Sequence, residues 1–222
     1  MTQPVQPHLD AVNTWLAERP TVTLSQEELG RSAVVVVDIL NGFTREGPLG
    51  SPLIGGIIAP SAELLAQAVA AGLPPERVAL MADAHPADAE EFQAYPPHCV
   101  AGTSEAEWVQ EIRELPQFDH FKHFTKNSIA SHHTPDFEAW LQTTAPDTLV
   151  VIGDVTDLCL YSLGLHLVTR SLHHGLSQRI LFPASCAQTW DAPDHPAALY
   201  HPLFLYQLAR NGGEVVSEVR WG

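Results

Sequence analysis

Residues Val150–Ser162 read V-V-I-G-D-V-T-D-L-C-L-Y-S, and the fold follows from how this stretch changes character. Its apolar beginning has the pattern of a buried strand. Gly153 breaks that run, a short polar turn follows, and Cys159 opens a helical segment over Leu158 to His174. A strand that turns directly into a helix is half of a βαβ unit. The cysteine at the helix start feels the positive end of the helix dipole, which favours thiolate over thiol and marks Cys159 as a candidate nucleophile. The alternative for a lone cysteine is a small buried hydrophobe.

The same alternation recurs on both sides of this stretch. Ala33–Val37, Val78–Met81, Phe118–Phe124, Arg179–Phe182 and Glu214–Val219 are the other strand candidates. Between them, Pro60–Ala71, Glu105–Leu115, a segment starting at Pro135, and His195–Asn211 have helical patterns. Apolar rather than alternating strands, interleaved with helices, indicate a parallel sheet covered on both faces. The expected architecture is a three-layer α/β/α domain of the Rossmann-like kind, with a central six-stranded, mostly parallel sheet over residues 31–222. Residues 1–30 carry a short helical pattern (Val12, Trp15, Leu16) ended by Arg19-Pro20, and are expected to form an appendage packing on that domain.

Composition narrows the partners. The chain has 222 residues, 45% hydrophobic and 17% charged, ordinary for a globular protein. Its formal net charge of −15 disfavours nucleic acid and anionic membrane surfaces and suits neutral or cationic small molecules. Three scattered cysteines do not make a disulfide framework. No continuous apolar run reaches the roughly 18 residues of a membrane span, and Met1–Asp10 lacks a secretory pattern. The expectation is a cytoplasmic protein.

In a parallel sheet all strands end at one edge, where ligands bind. Asp38, Asp83, Lys126 and Cys159 fall at or just beyond strand ends. A cysteine attacking a carbonyl needs a proton acceptor, a nearby cation and donors for the oxyanion. Asp38, if partly desolvated, could take and return the proton. Lys126 could hold the thiolate, with Lys122 as its competitor, and the N–H groups of Val155 and Cys159 could receive the oxyanion. Asp83, His85, Glu91 and His98 offer oxygen and nitrogen ligands for a divalent transition ion such as zinc, manganese or iron. Loop histidines that merely hydrogen-bond are the other reading of that group.

These residues resemble a known family. Asp38 followed by Phe43, Asp83-Ala84-His85 with Glu91, Tyr95-Pro96-Pro97-His98-Cys99-Val100-Ala101-Gly102-Thr103, and Gly153-Asp154-Val155-Thr156-Asp157-Leu158-Cys159-Leu160 are similar to the motifs of the isochorismatase-like cysteine hydrolases, and within them the nicotinamidases. The resemblance runs from about Ala33 to Val219. It implies a triad of Asp38, Lys126 and Cys159, a cis bond before Val155, one metal ion, and Phe43 and Tyr95 flanking the substrate ring. It further implies a metal-dependent amidohydrolase acting through a Cys thioester on a small neutral amide, and a homo-oligomer. In such enzymes the ring nitrogen of nicotinamide meets the metal while its amide meets the cysteine.

Leu40, Tyr95, Asp154 and Val155 depart from the usual pocket residues, as does the segment 127–133. These departures leave another small amide or carbamoyl compound as the alternative substrate. A non-enzymatic binding module on the same fold is a third reading. Cys99 and Cys186 read as buried packing residues.

Overall fold

A computed structural model describes residues 6–222. Its strands are β1 (Thr21–Leu24), β2 (Ser32–Val37), β3 (Val78–Asp83), β4 (Lys122–Lys126), β5 (Thr148–Asp154), β6 (Arg179–Pro183), β7 (Ala187–Gln188), β8 (Glu214–Val216) and β9 (Glu218–Trp221). Six of them lie side by side in the order β4-β3-β2-β5-β6-β8, all parallel. The two-residue β7 adds a seventh by pairing with the last two residues of β5.

The apolar strands are buried on both sides. Val35, Val37, Leu149 and Val151 face the helices Cys159–His174 and Ala197–Arg210 through Leu163, Leu167, Leu205 and Leu208. Val34, Val36, Val150 and Ile152 face the helix Ile58–Ala70 through Leu64, Leu65 and Ala68. Each such side chain gains about 1.5–3 kcal/mol from burial, so both faces of a central strand select apolar residues. The stretch Pro52–Ala70 is apolar along its length, but its helix is interrupted near Gly56 and its inner face packs on this core.

Several boundaries differ from expectation, each for a local reason. The helix Ile58–Ala70 starts before Pro60, which sits in the first turn, where its missing N–H costs nothing. Glu105–Leu115 is not one helix but two separate turns, Ser104–Ala106 and Gln110–Arg113. Between them the backbone bonds elsewhere: the Asn41 N–H donates to Glu107 O and the Val109 N–H to Ile39 O. Phe118–His120 is a 3-10 turn, and the strand behind it extends to Lys126.

The last expected strand is broken at Ser217. Its second half, β9, leaves the main sheet and pairs in parallel with β1. The helix Gln6–Ala17 lies against the helix Ala197–Arg210, with Trp15 edge-on to Tyr206 at 5.0 Å between ring centroids.

Register then sets the site. Asp83 is paired with Lys126, and Val37 with both Met81 and Gly153. The C-terminal ends of β2, β3, β4 and β5 therefore meet at one rim.

Candidate active site

Asp38 is the first residue past β2. It adopts a left-handed conformation (φ 55°), which an aspartate tolerates better than most residues. Its N–H donates to Met81 O, and its Oδ1 accepts the Asp83 N–H at 2.9 Å. Oδ2 lies 2.7 Å from Lys126 Nζ. The same ammonium is 2.7 Å from Asp83 Oδ1 and 3.6 Å from Cys159 Sγ. Asp38 Oδ2 and Asp83 Oδ1 receive no well-directed N–H, so charge attraction holds this cluster. All four side chains are buried. Lys122, at the start of edge strand β4, is exposed, so Lys126 is the lysine brought to the thiol.

Burial raises the Asp38 pKa to about 7, opposed by Lys126 and reinforced by Asp83. Lys126 stays charged: burial works against the ammonium, but Asp38, Cys159 and Asp83 outweigh it. Cys159 departs from the reading of its helix position. Burial pushes the thiol well up, and the pull of Lys126 is countered by Asp38, Asp83 and Asp154. The resting nucleophile is thus a thiol beside a carboxylate poised near neutrality, because desolvation exceeds what a helix N-terminus supplies.

The turn carrying Cys159 begins at Gly153, whose φ of 122° and contact with the Val37 backbone leave no room for a side chain. The Asp154–Val155 peptide is cis. Val155 O accepts the N–H groups of Leu158 and Leu160. The N–H groups of Val155 and Cys159 donate to no protein acceptor among the described residues. Cys159 opens its helix, where the first N–H groups have no partner within the helix, and Val155 lies in the turn before it, so both donors are available to an oxyanion.

Asp83, His85 and His98 bring one ligand atom each within 4.8 Å of one another. The loop is pinned by the His85 N–H donating to Cys99 O and the Ala101 N–H donating to His85 O, which carries His98 beside the end of β3. His85 Nδ1 bonds Asn127 Oδ1 and His98 Nδ1 bonds Pro96 O, both at 2.8 Å. With Nδ1 committed, Nε2 is left as the ligand atom, and His85 Nε2 is buried without a hydrogen-bond partner. These three residues fit a divalent transition ion.

Glu91 does not join this group. It lies in the 3-10 turn Glu90–Gln93, where its backbone carbonyl closes the turn, and its residue lines the adjoining cavity. A second tight group, Asp38, Asp83 and Cys159, already surrounds the Lys126 ammonium.

The cavity over Cys159 has a volume of about 360 Å³. Phe43 and Tyr95 line it, both near His98 at 5.5 and 6.3 Å between ring centroids. Sequence reasoning missed Trp190 and Asp191, which follow β7, and the Pro48–Pro52 segment. Recognising the short strand β7 would have placed Trp190 at the rim. Among the lining residues are Asp83, Glu91, Asp154 and Asp191, but no lysine or arginine. Asp154 is buried with neither carboxyl oxygen hydrogen-bonded, and burial pushes its pKa well up.

A family model described as the isochorismatase domain matches residues 32–201. The chain belongs to the isochorismatase family. Nicotinamidase 1 of Arabidopsis thaliana is 27% identical over 91% of each chain. Among solved structures, the yeast nicotinamidase superposes with a TM-score of 0.69 at 17% identity, covering 84% of this chain and 99% of that one. N-carbamoylsarcosine amidase from Thermoplasma acidophilum gives 0.67 at 22%, covering 84% and 95%. At such identities the structural likeness concerns the isochorismatase-family fold, shared by enzymes named for different substrates.

Proposed function

We propose that the chain is a nicotinamidase, converting nicotinamide and water to nicotinate and ammonia through a thioester on Cys159. The observation that carries this reading is the juxtaposition of two groups under one cavity. The Asp38–Lys126–Cys159 cluster sits beside Asp83, His85 and His98, and no lysine or arginine lines the space above them. An anionic substrate would meet Asp83, Glu91, Asp154 and Asp191 with no cationic side chain to receive it. A neutral amide with a flat ring suits the charge and the aromatic lining.

In the first half-reaction the Cys159 thiol gives its proton to Asp38 as sulfur attacks the amide carbon. The oxyanion is received by the N–H groups of Val155 and Cys159, where one such donor is worth about 3 kcal/mol in the transition state. Lys126 balances the charge as the proton moves. The C–N bond breaks and Asp38 returns the proton to the departing ammonia. In the second half, water gives a proton to Asp38 and attacks the thioester. The C–S bond breaks, Asp38 reprotonates the sulfur, and the new carboxyl group leaves as nicotinate after giving its proton to solvent.

Asp83, His85 and His98 would hold the divalent ion, with zinc, manganese and iron as the candidates. When bound, it supplies a Lewis-acid contact that anchors the ring nitrogen.

Ammonia release from nicotinamide tests the reading. Wild-type protein is expected to release it, Cys159→Ala is not, and a carboxylate-bearing carbamoyl compound is expected to be a poor substrate. Release that persists in Cys159→Ala would overturn the mechanism. The orphaned Asp154 carboxyl keeps a second reading in play, another small neutral amide or carbamoyl compound with an additional polar group. Faster turnover of such a compound than of nicotinamide would select it.

A further inference from the structure

Trp190 belongs to a device that the triad and the metal-binding group do not explain. It follows β7 and lines the cavity together with Leu158 and Cys159. Its indole stacks on the His195 imidazole at 3.6 Å and 8° between planes, and the far face of that imidazole stacks on Tyr200 at 3.8 Å and 20°. His195 Nδ1 is 3.1 Å from Trp190 O, and its Nε2 is 2.8 Å from Asp157 Oδ2. Asp157 is buried in the turn that carries Cys159, two residues before the nucleophile. One imidazole therefore joins the cavity-lining tryptophan to the nucleophile turn.

The segment between them is tied down at both ends. Ala192 and His195 exchange backbone hydrogen bonds, closing a tight turn, and Asp191 Oδ1 accepts the Ala197 N–H at the start of the helix Ala197–Arg210. On the other side, the Thr156 N–H donates to Gln188 O, and Thr156 Oγ1 is hydrogen-bonded to His201 Nδ1 at 2.9 Å. The indole N–H of Trp140 donates to Glu76 O and that of Trp221 to Leu64 O, whereas the indoles of Trp15, Trp108 and Trp190 have no such bond among the described residues. What separates Trp190 from the other described tryptophans is its place in the lining of the cavity over Cys159. A half-buried indole that lines the cavity, its tilt fixed by stacking on His195, has the properties of a ligand-contacting wall.

We infer that Trp190 is a specificity-determining residue for flat heteroaromatic carboxamides, and that the His195–Asp157 pair is a latch that sets its distance from Cys159. This inference rests on the amidase reading for its substrate, but the latch is a property of the fold alone. His195 and Asp157 are positioning residues: they act through Trp190 and the turn, without touching the ring of the substrate.

Two measurements test it. The first is the ratio of kcat/KM for nicotinamide to that for acetamide, which has no ring. Trp190→Ala is expected to lower this ratio tenfold or more, chiefly through KM for nicotinamide, while Trp190→Phe, which keeps a flat ring, retains it within about threefold. An unchanged ratio in a folded Trp190→Ala protein would overturn the specificity role.

The second is amide hydrogen exchange over residues 189–196. His195→Leu is expected to speed it at least tenfold relative to the helix Cys159–His174, and His195→Gln, which keeps a donor toward Asp157, to recover most of the protection. Equal protection in wild type and His195→Leu would overturn the latch. If wild-type protein does not hydrolyse nicotinamide, the functional reading fails while the exchange measurement still decides the latch.

Discussion

The Asp83 carboxylate lies 2.7 Å from the Lys126 ammonium, so one residue serves both the metal-binding group and the charge balance of the nucleophile. His98, by contrast, belongs to the metal-binding group alone. Asp83→Asn is therefore expected to do two things. It weakens metal binding, and in metal-free protein it lowers the pH at which Cys159 reacts with iodoacetamide, since a carboxylate that raises the thiol pKa has gone. His98→Ala is expected to weaken metal binding by roughly 10²-fold or more and leave that thiol titration in place. Equal displacement of the titration in both variants would show that Asp83 is not shared in this way.

Lys126 is surrounded by two carboxylates and a thiol, all buried. Replacing it by methionine leaves Asp38 and Asp83 facing each other without a cation. The expected cost is about 3–5 kcal/mol of stability, with activity falling roughly 10²–10⁴-fold. Lys122→Met changes an exposed side chain on the same strand and is expected to stay within about 0.5 kcal/mol. Urea unfolding of the two variants, alongside their rates, checks the contrast. A Lys126→Met protein as stable and active as Lys122→Met would remove the lysine from the mechanism.

The pH profile follows from Asp38. The base form of this carboxyl accepts the thiol proton, so activity is lost as the pH falls and the carboxyl becomes protonated. With the pKa raised to about 7 by burial, kcat/KM should rise with a slope of one through neutrality and level off above it. A rate that is flat from pH 5 to 9 would show that Asp38 is not the base.

Much of this site was legible because parallel sheets impose a simple rule: apolar runs are strands, and chemistry gathers at their C-terminal ends. Asp38, Asp83, Lys126 and Cys159 obey it. What was not legible depends on contacts far apart in sequence. The protonation of Cys159 is set by carboxylates arriving from β2 and β3, which no local helix argument contains. The break in Glu105–Leu115 comes from backbone pairing with Ile39–Asn41, and the break at Ser217 from the approach of Pro20, whose carbonyl accepts the Ser217 N–H. Trp190 was invisible because β7 is only two residues long and has no periodicity to read. Glu91 matches a motif position and lines the cavity without belonging to the tight group of Asp83, His85 and His98.

Gly153 offers the sharpest test of how closely the sheet holds the nucleophile turn. Its φ of 122° lies where side chains are strained, and an added Cβ would fall 1.9 Å from Val37 O and 2.7 Å from Val37 C. Those are backbone atoms of the central strand and cannot swing aside. To admit alanine, the end of β5 must move away from β2, which separates Cys159 from Asp38. Gly153→Ala is expected to cost more than about 3 kcal/mol and to lose activity beyond what its unfolded fraction accounts for. Gly175 supplies the control: it also has positive φ, at the end of the helix Cys159–His174, but nothing lies within 4 Å of an added Cβ. Gly175→Ala is expected to cost about 1 kcal/mol with no change in rate. Urea unfolding and the ammonia assay on both variants decide it; if they behave alike, the close contact between β5 and β2 does not position the nucleophile.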